Sequence, residues 1–226
     1  MCRRAPGNRT FLHDNCRMPP TADQPPTPPE PGRDGKGDWR RALRRARRES
    51  LPGRDRTADA DRIAATVATL VAGRAPVSFV AAYVSLPTEP PTEALIERLV
   101  GAGVGVLVPQ LLPDRDLDWR AVTGGTPHGA PELGERLGTG AIGRAGLVIV
   151  PALAVDAEGV RLGQGGGSYD RALTRRRPDA FVVALVHDGE VFPAGRLPRE
   201  PHDAPVDAVV TAAGGLLDLR RGCPTA

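Results

Sequence analysis

The chain has 226 residues, the length of one domain or of one domain with a tail. Apolar residues make up 40% and charged residues 25%, which suits a globular core beneath a charged surface. No apolar run approaches the roughly 18–20 residues that cross a bilayer, so the composition excludes a membrane-spanning helix. The net charge of +3 is too small to indicate a nucleic-acid-binding protein by itself.

Residues 1–35 combine many prolines with polar side chains and have almost nothing apolar to bury. Such a segment cannot offset the entropy lost on ordering, so we predict a disordered N-terminal tail. The three cysteines, Cys2, Cys16 and Cys223, lie near the chain ends, and their spacing fits no zinc site. We interpret them as free thiols of a reducing compartment, which favours a cytoplasmic location.

The ordered part begins with a basic helix over residues 36–50. Trp39, Leu43 and Ala46 fall at helical spacing, and arginines occupy the other faces. Those arginines are compatible with a solvated surface, with contacts to phosphates, or with contacts to RNA or DNA. Only Trp39 is available to stack on bases, which disfavours nucleic acid. A second helix is predicted over residues 57–72, with acidic residues in its first turn.

Apolar runs and helical patterns then alternate along the chain. We predict strands over 77–84, 104–108 (ended by Pro109), 116–122, 146–150, 180–186 and 206–211. We predict helices over 92–103, with Thr92 as N-cap, and over 169–177, and mainly loop over 123–144. This order indicates an α/β domain over residues 36–215 and a C-terminal tail over 216–226. Its fold class is a three-layer αβα arrangement with a mostly parallel, Rossmann-like open sheet.

Ligands of open α/β sheets bind beyond the carboxyl ends of the strands. The loops after residues 84, 108 and 150 are therefore the expected borders of the functional site. The last of these leads to four glycines in five positions, Gly163-Gln164-Gly165-Gly166-Gly167, just before a predicted helix. Uncovered backbone amides at a helix start can cradle phosphates, although a plain flexible loop has the same composition.

Charged residues flank this glycine segment. Arg161 precedes it and can pair with a phosphate. Asp170 follows it, either as a magnesium ligand beside phosphates or as a first-turn acid that stabilises the helix dipole. Glu89 lies in a proline-stiffened loop and could accept hydrogen bonds from an amino-heterocycle. Asp203 is a second candidate metal ligand, and His202 beside it is a candidate base or a surface histidine.

Several motifs occur in the order and spacing of one family. Lys36 and Arg40 form a Lys-x-x-x-Arg pair in the first helix, and Glu89 and Thr92 form a Glu-x-x-Thr turn. An Asp-Leu-x-aromatic-Arg piece begins at Asp116. The stretch PALAVDAEGVRLGQGGGSYD ends at Asp170, and a His-Asp pair precedes the last strand. Together these motifs resemble the 5-formyltetrahydrofolate cyclo-ligase family over about residues 36–212. Ala152, Val155 and Ser168 depart from the family's usual Gly, Phe and Tyr.

The resemblance implies ATP- and Mg²⁺-dependent closure of 5-formyltetrahydrofolate to 5,10-methenyltetrahydrofolate, with release of ADP and phosphate. Lys36 and Arg161 are then the expected catalytic residues, and Asp170 and Asp203 the expected Mg²⁺ ligands. The expected ATP-binding residues are Lys36, Arg40, Arg161, Leu162, Gly163, Gln164, Gly165, Gly166, Gly167, Ser168 and Tyr169. The expected folate-binding residues are Arg40, Val84, Glu89, Gln164, Gly165, Gly166, Gly167 and Ser168.

Two other readings stay open at this point. The loss of a tyrosine at Ser168 is compatible with a relative that binds folate without turnover or acts on another formyl or carboxyl substrate. The arginine-rich helix is compatible with a nucleic-acid-associated protein. We otherwise expect small-molecule partners only (a reduced folate and ATP), no membrane association, and a monomer.

Overall fold

The computed structural model describes residues 35–74, 77–125 and 130–220. Nearly all of the predicted disordered tail and all three cysteines lie outside these ranges. The helices are α1 (Lys36–Ser50), α2 (Arg56–Ala72), α3 (Glu93–Gly101) and α4 (Ser168–Leu173). The strands are β1 (Phe79–Ala81), β2 (Gly105–Leu111), β3 (Leu117–Gly125), β4 (Pro131–Arg136), β5 (Leu147–Pro151), β6 (Ala154–Asp156), β7 (Arg161–Leu162), β8 (Phe181–Leu185), β9 (Val191–Phe192), β10 (Ala208–Thr211) and β11 (Gly215–Asp218).

Eight strands form the main sheet, in the order β11-β10-β8-β5-β1-β2-β3-β4. The five central strands are parallel, and β3, β4 and β11 are added antiparallel at the edges. The central strands are mostly apolar because helical layers cover both faces of the sheet. One layer contains α2 and α3; the other contains α4 and a 3-10 segment, Thr139–Arg144. This is the predicted α/β fold class.

A second sheet, in the order β7-β6-β9, holds α1 in place. Trp39 and Leu43 are one turn apart on α1, and both pack into the apolar cluster above this sheet. The Trp39 ring meets Phe192 of β9 edge-to-face, with centroids 5.2 Å apart. Both side chains are 2% exposed, so their apolar surface is almost entirely removed from water, which stabilises α1 on this sheet. Among the described residues, no helix has the length and apolarity to cross a membrane.

Strands that follow β1 in the chain are added to the sheet on both of its sides. From β1 the chain passes through α3 to β2 on one side, whereas β5, β8 and β10 extend the sheet on the other side. The carboxyl ends of β1 and β5 therefore flank a crevice, as at the topological switch points where ligands of such sheets bind.

Several predicted bounds need correction. The strand expected over 77–84 is only Phe79–Ala81. Beyond it, the Thr92 hydroxyl donates to the Tyr83 carbonyl (2.7 Å) and accepts from the Ser85 amide (3.0 Å), so the backbone leaves the sheet. Thr92 precedes α3, as predicted, but its side chain makes no capping bond. Helix α2 begins at Arg56, and Asp55 caps it by accepting from the Ala58 amide.

The larger errors lie at the sheet edges. Pro109 does not end β2, which continues to Leu111 beside β3. On its other side β1 has ended opposite Leu107, so no strand there requires the amide hydrogen that proline lacks. The region 123–144 is not mainly loop, since it contains the end of β3, the strand β4 and the 3-10 segment. The predicted C-terminal tail contains most of β11, which pairs with β10. The helix expected over 169–177 ends at Leu173.

One buried ion pair joins α1 to the rest of the domain. Arg47 is 2% exposed, and its Nε and Nη2 each donate to the Glu190 carboxylate at 2.7 Å. Nη2 also donates to the carbonyl of Ala152, the residue after β5, at 2.6 Å. Burial raises the pKa of Glu190, and the Arg47 guanidinium opposes that rise. Removal of one partner leaves an uncompensated charge in the interior, which is strongly unfavourable.

We therefore predict that Arg47→Met lowers the free energy of unfolding by about 3–5 kcal/mol in urea titrations. The double variant Arg47→Met/Glu190→Leu should lose less than this single variant, because no unpaired charge remains. Arg45 on the same helix forms an exposed pair with Glu49, and Arg45→Ala is the matched control with an unchanged midpoint. Equal losses in the single and double variants would contradict this account.

Candidate active site

A pocket of about 690 Å³ opens at the crevice between the carboxyl ends of β1 and β5. The loop after β1, the ends of β2 and β5, the glycine segment and the first residues of α1 all line it, as the sequence predicts. Every residue expected to bind ATP, folate or metal lies in its wall. These residues are Lys36, Arg40, Val84, Glu89, Arg161, Leu162, Gly163, Gln164, Gly165, Gly166, Gly167, Ser168, Tyr169, Asp170 and Asp203.

The glycine segment turns sharply into α4. Gly165 and Gly167 have φ values of 102° and 67°, a left-handed conformation that side chains disfavour. A Cβ at Gly163 would lie 2.7 Å from the Arg161 guanidinium, and one at Gly165 would lie 3.3 Å from that of Arg40. The glycines therefore let two arginines approach the backbone closely, which makes a cationic cradle suited to an anion.

Three cations on α1 face this cradle at a spacing of four residues. Arg40 Nε donates to the Gly163 carbonyl at 3.0 Å. Arg44 donates to the Gln164 carbonyl at 2.8 Å and to its side-chain oxygen at 3.0 Å. Lys36 completes the stripe. Our sequence reasoning missed Arg44, although its position one turn after Arg40 would have placed it on the same helix face.

Lys36 contacts two acidic residues that also line the pocket. Its ammonium donates to both Asp203 oxygens at 2.8 and 2.7 Å and lies 3.1 Å from Glu200. Partial burial by itself raises the pKa of Asp203, but the bonds from Lys36 and from the Glu200 amide outweigh it, so the pKa lies below its usual value. Glu200, His202 and Asp203 can each offer one ligand atom within 4.8 Å of the others. This group could therefore hold a cation, as Lys36 Nζ already illustrates.

Arg161 and Asp170 form a second ion pair across the glycine segment. Arg161 is 6% exposed, and its Nη2 donates to Asp170 Oδ1 at 2.6 Å. Its Nη1 donates to the Pro151 carbonyl at 3.4 Å. Asp170 is in the first turn of α4, where the helix dipole also stabilises a carboxylate. Arg161 thus holds Asp170 in place as well as facing the pocket.

Glu89 forms the opposite wall. It is 4% exposed, and its Oε2 accepts from the Leu86 amide at 3.0 Å. Its Oε1 lies 3.5 Å from Gln164 Nε2, so the loop after β1 reaches the glycine segment. A buried carboxylate with one oxygen so loosely engaged is suited to accept hydrogen bonds from a ligand.

The remaining predicted residues provide apolar surface. Leu162 is buried in the cluster beneath α1, and the ring of Tyr169 packs against the sheet. Burial raises the pKa of Tyr169, so its hydroxyl stays neutral. Val84 is 45% exposed at the rim. Sequence reasoning missed Leu86 and Leu111, which are exposed beside it and line the same pocket. The available signal was a bulky apolar residue in the loop after β1 and another at the end of β2.

Comparisons with known proteins support the predicted resemblance. A family model described as the 5-formyltetrahydrofolate cyclo-ligase family matches residues 33–212. The chain is 36% identical over 197 residues to 5-formyltetrahydrofolate cyclo-ligase of Mycolicibacterium smegmatis, a match that covers 82% of this chain and 97% of the relative. A shorter match, 40% identical over 76 residues, covers 30% of this chain and 27% of the mitochondrial 5-formyltetrahydrofolate cyclo-ligase of Arabidopsis thaliana.

Two solved structures share the fold. The 5,10-methenyltetrahydrofolate synthetase of Aquifex aeolicus is 25% identical with a TM-score of 0.60, and the match covers 83% of this chain and 96% of that one. The enzyme of the same name from Mycoplasma pneumoniae is 14% identical with a TM-score of 0.57, over 75% and 96% of the two chains. The second likeness concerns the fold alone. The predicted fold class and family resemblance are confirmed.

We predict that Asp203→Asn lowers stability in a pH-dependent way. The pKa of Asp203 is lower in the folded protein than the roughly 3.9 of an unfolded chain, so its contribution is complete above that value. The contribution is lost as the pH falls through the folded-state pKa. The urea midpoint of the variant should therefore lie below that of the wild type at pH 7 and converge with it in acid. Glu49→Gln, which removes an exposed carboxylate from α1, is the control; a gap that persists in acid would contradict the assignment.

Proposed function

Because the chain belongs to the 5-formyltetrahydrofolate cyclo-ligase family, we propose that it closes 5-formyltetrahydrofolate to 5,10-methenyltetrahydrofolate, consuming ATP with Mg²⁺ and releasing ADP and phosphate. The main support from the structure is that a cationic glycine cradle and a buried carboxylate face one pocket. The cradle suits the phosphates of a nucleotide, and Glu89 suits the amino groups of a pterin.

The nucleotide is assigned to the side of the pocket formed by α1 and the glycine segment. Lys36 and Arg40 neutralise phosphate charge, and the amides of residues 163–167 contribute donors at the start of α4. Arg44 contributes indirectly, because its two bonds to Gln164 hold the glycine segment against α1. Tyr169 and Leu162 supply apolar surface along the same wall.

The Mg²⁺ is assigned to Asp170 and Asp203. Both carboxylates line the pocket, and carboxylate oxygens beside phosphates are what this hard cation prefers. When bound, the ion offsets the negative charge of the phosphates. Each carboxylate is already held by a cationic side chain, Asp170 by Arg161 and Asp203 by Lys36. These pairs orient the carboxylate oxygens.

The chemistry requires activation of a poor leaving group. The formyl oxygen of the folate attacks the γ-phosphorus of ATP, and the bond to the ADP oxygen breaks. The neighbouring N10 then attacks the formyl carbon and loses its proton to water, the carbon–oxygen bond breaks, and phosphate leaves. The protein's part is to align these groups and stabilise their charge, so no nucleophilic side chain is needed. Glu89 and the apolar rim around Val84 would align the folate, while Lys36 and Arg161 would stabilise the transferred phosphoryl group.

The proposal predicts formation of the methenyl product, followed by its near-ultraviolet absorbance in mixtures of protein, 5-formyltetrahydrofolate, ATP and Mg²⁺. Omission of any one component should abolish the signal. A folded protein that binds Mg-ATP but gives no signal would instead point to the altered relative whose Ser168 has changed the substrate. Binding to nucleic acid that weakens steeply with salt would support the role of α1 in a nucleic-acid-associated protein.

We further predict that Asp170→Asn loses turnover without losing the fold. The amide can still accept from Arg161, but it lacks the charge that a Mg²⁺ ligand needs. Turnover should fall by at least roughly 100-fold, the size of effect that misplaced or missing charge produces at reacting centres. Circular dichroism and the unfolding midpoint check the fold, and Asp179→Asn, at an exposed site, is the control. Full activity of Asp170→Asn would exclude the metal assignment.

A further inference from the structure

The loop that carries Glu89 is held from outside by two residues that do not line the pocket. Arg56, the first residue of α2, donates through Nη1 to the Pro87 carbonyl at 2.8 Å and to the Glu89 carbonyl at 3.1 Å. His187, which follows β8, contacts the Thr88 carbonyl through Nε2 at 3.1 Å. Three consecutive carbonyls thus contact side-chain nitrogens from two other elements.

The sequence of the loop explains why it needs outside donors. Residues 87, 90 and 91 are prolines and have no amide hydrogen to donate. Within the loop, the Glu89 amide donates to the Leu86 carbonyl, and the Leu86 amide donates to the Glu89 carboxylate. The carbonyls of residues 87–89 therefore depend on partners elsewhere in the fold.

The imidazole of His187 is suited to this task. It is 5% exposed, and its burial, together with the nearby cations Arg47, Arg54 and Arg56, lowers its pKa to about 3. The ring is therefore neutral near pH 7 and carries a single N–H. A carbonyl can only accept, so that hydrogen is on Nε2 and points to Thr88. The backbone amide of His187 donates to the Glu190 carboxylate at 2.7 Å. His187 is therefore connected to the buried pair of Glu190 with Arg47.

We propose that Arg56 and His187 are positioning residues for folate binding, which fix residues 87–89 so that the Glu89 carboxylate faces the pocket. This inference rests on the proposed function, in which Glu89 accepts hydrogen bonds from the pterin. Neither residue touches the ligand. Both restrict the loop in the free protein, so less conformational entropy is lost when the ligand binds.

The test is direct binding of 5-formyltetrahydrofolate to the full chain, measured by titration calorimetry without ATP. Arg56→Ala and His187→Leu should each bind folate about 3- to 10-fold more weakly, the loss expected for one or two anchoring hydrogen bonds. His187→Gln, whose amide nitrogen can replace Nε2, should bind within twofold of the wild type. Arg62→Ala, on an exposed face of α2, is the matched control.

Steady-state kinetics separate positioning from general destabilisation. The KM for folate should rise in Arg56→Ala and His187→Leu, whereas the affinity for Mg-ATP should stay unchanged. Folate affinity equal to that of the wild type, an equal loss for Mg-ATP, or a His187→Gln variant as weak as His187→Leu would overturn this inference. A wild-type chain that binds no folate would overturn the proposed function and the inference with it. Wild-type binding with unaffected variants would overturn the inference alone.

Discussion

The packing of α1 against the small sheet is the constraint on which the pocket depends. Trp39, Leu43 and Arg47 lie on one face of the helix, and each is about 2% exposed. The first two fill an apolar cluster, whereas Arg47 reaches Glu190 and the carbonyl at the end of β5. An adjacent face of the same helix carries Arg40 and Arg44, which donate to the glycine segment, and Lys36, which contacts Asp203. Displacement of α1 would remove one wall of the pocket, so folding and ligand binding share these contacts.

Much of this arrangement could be read from the sequence because its determinants are local. The helical spacing of Trp39, Leu43 and Ala46 predicts α1, and buried apolar runs predict the central strands, although β1 is shorter than its run. The positions of Glu89 and the glycine segment after strand ends place them at one edge of a parallel sheet. Local patterns indicated the glycine segment and its charged neighbours, and the family resemblance supplied the remaining expected residues. All of them line one pocket, whereas their individual roles stay predictions.

The errors arise where distant contacts override local preference. Pro131 and Gly134 indicate a loop, yet edge strand β4 pairs with β3, and Arg120 on β3 also donates to the carbonyls of Leu133 and Gly134. Pro109 continues β2 only because β1 has already ended. The partners of the site carboxylates also could not be predicted from the sequence, because Lys36 and Asp203 are 167 residues apart in the chain. The same applies to His187, 99 residues from the carbonyl that it contacts.

The pairing of Lys36 with Asp203 has a consequence for ligand selection. These two charged side chains of the pocket are already paired with each other. A lone anion that drew Lys36 away would leave the Asp203 carboxylate without its cationic partner. An ion pair as ligand avoids this penalty, since its anion takes the ammonium while its cation takes the carboxylate. The exchange preserves the number of opposite-charge contacts in a partly dehydrated site. Under the proposed function, this exchange predicts a preference for a nucleotide that arrives with its metal over free phosphate or free nucleotide.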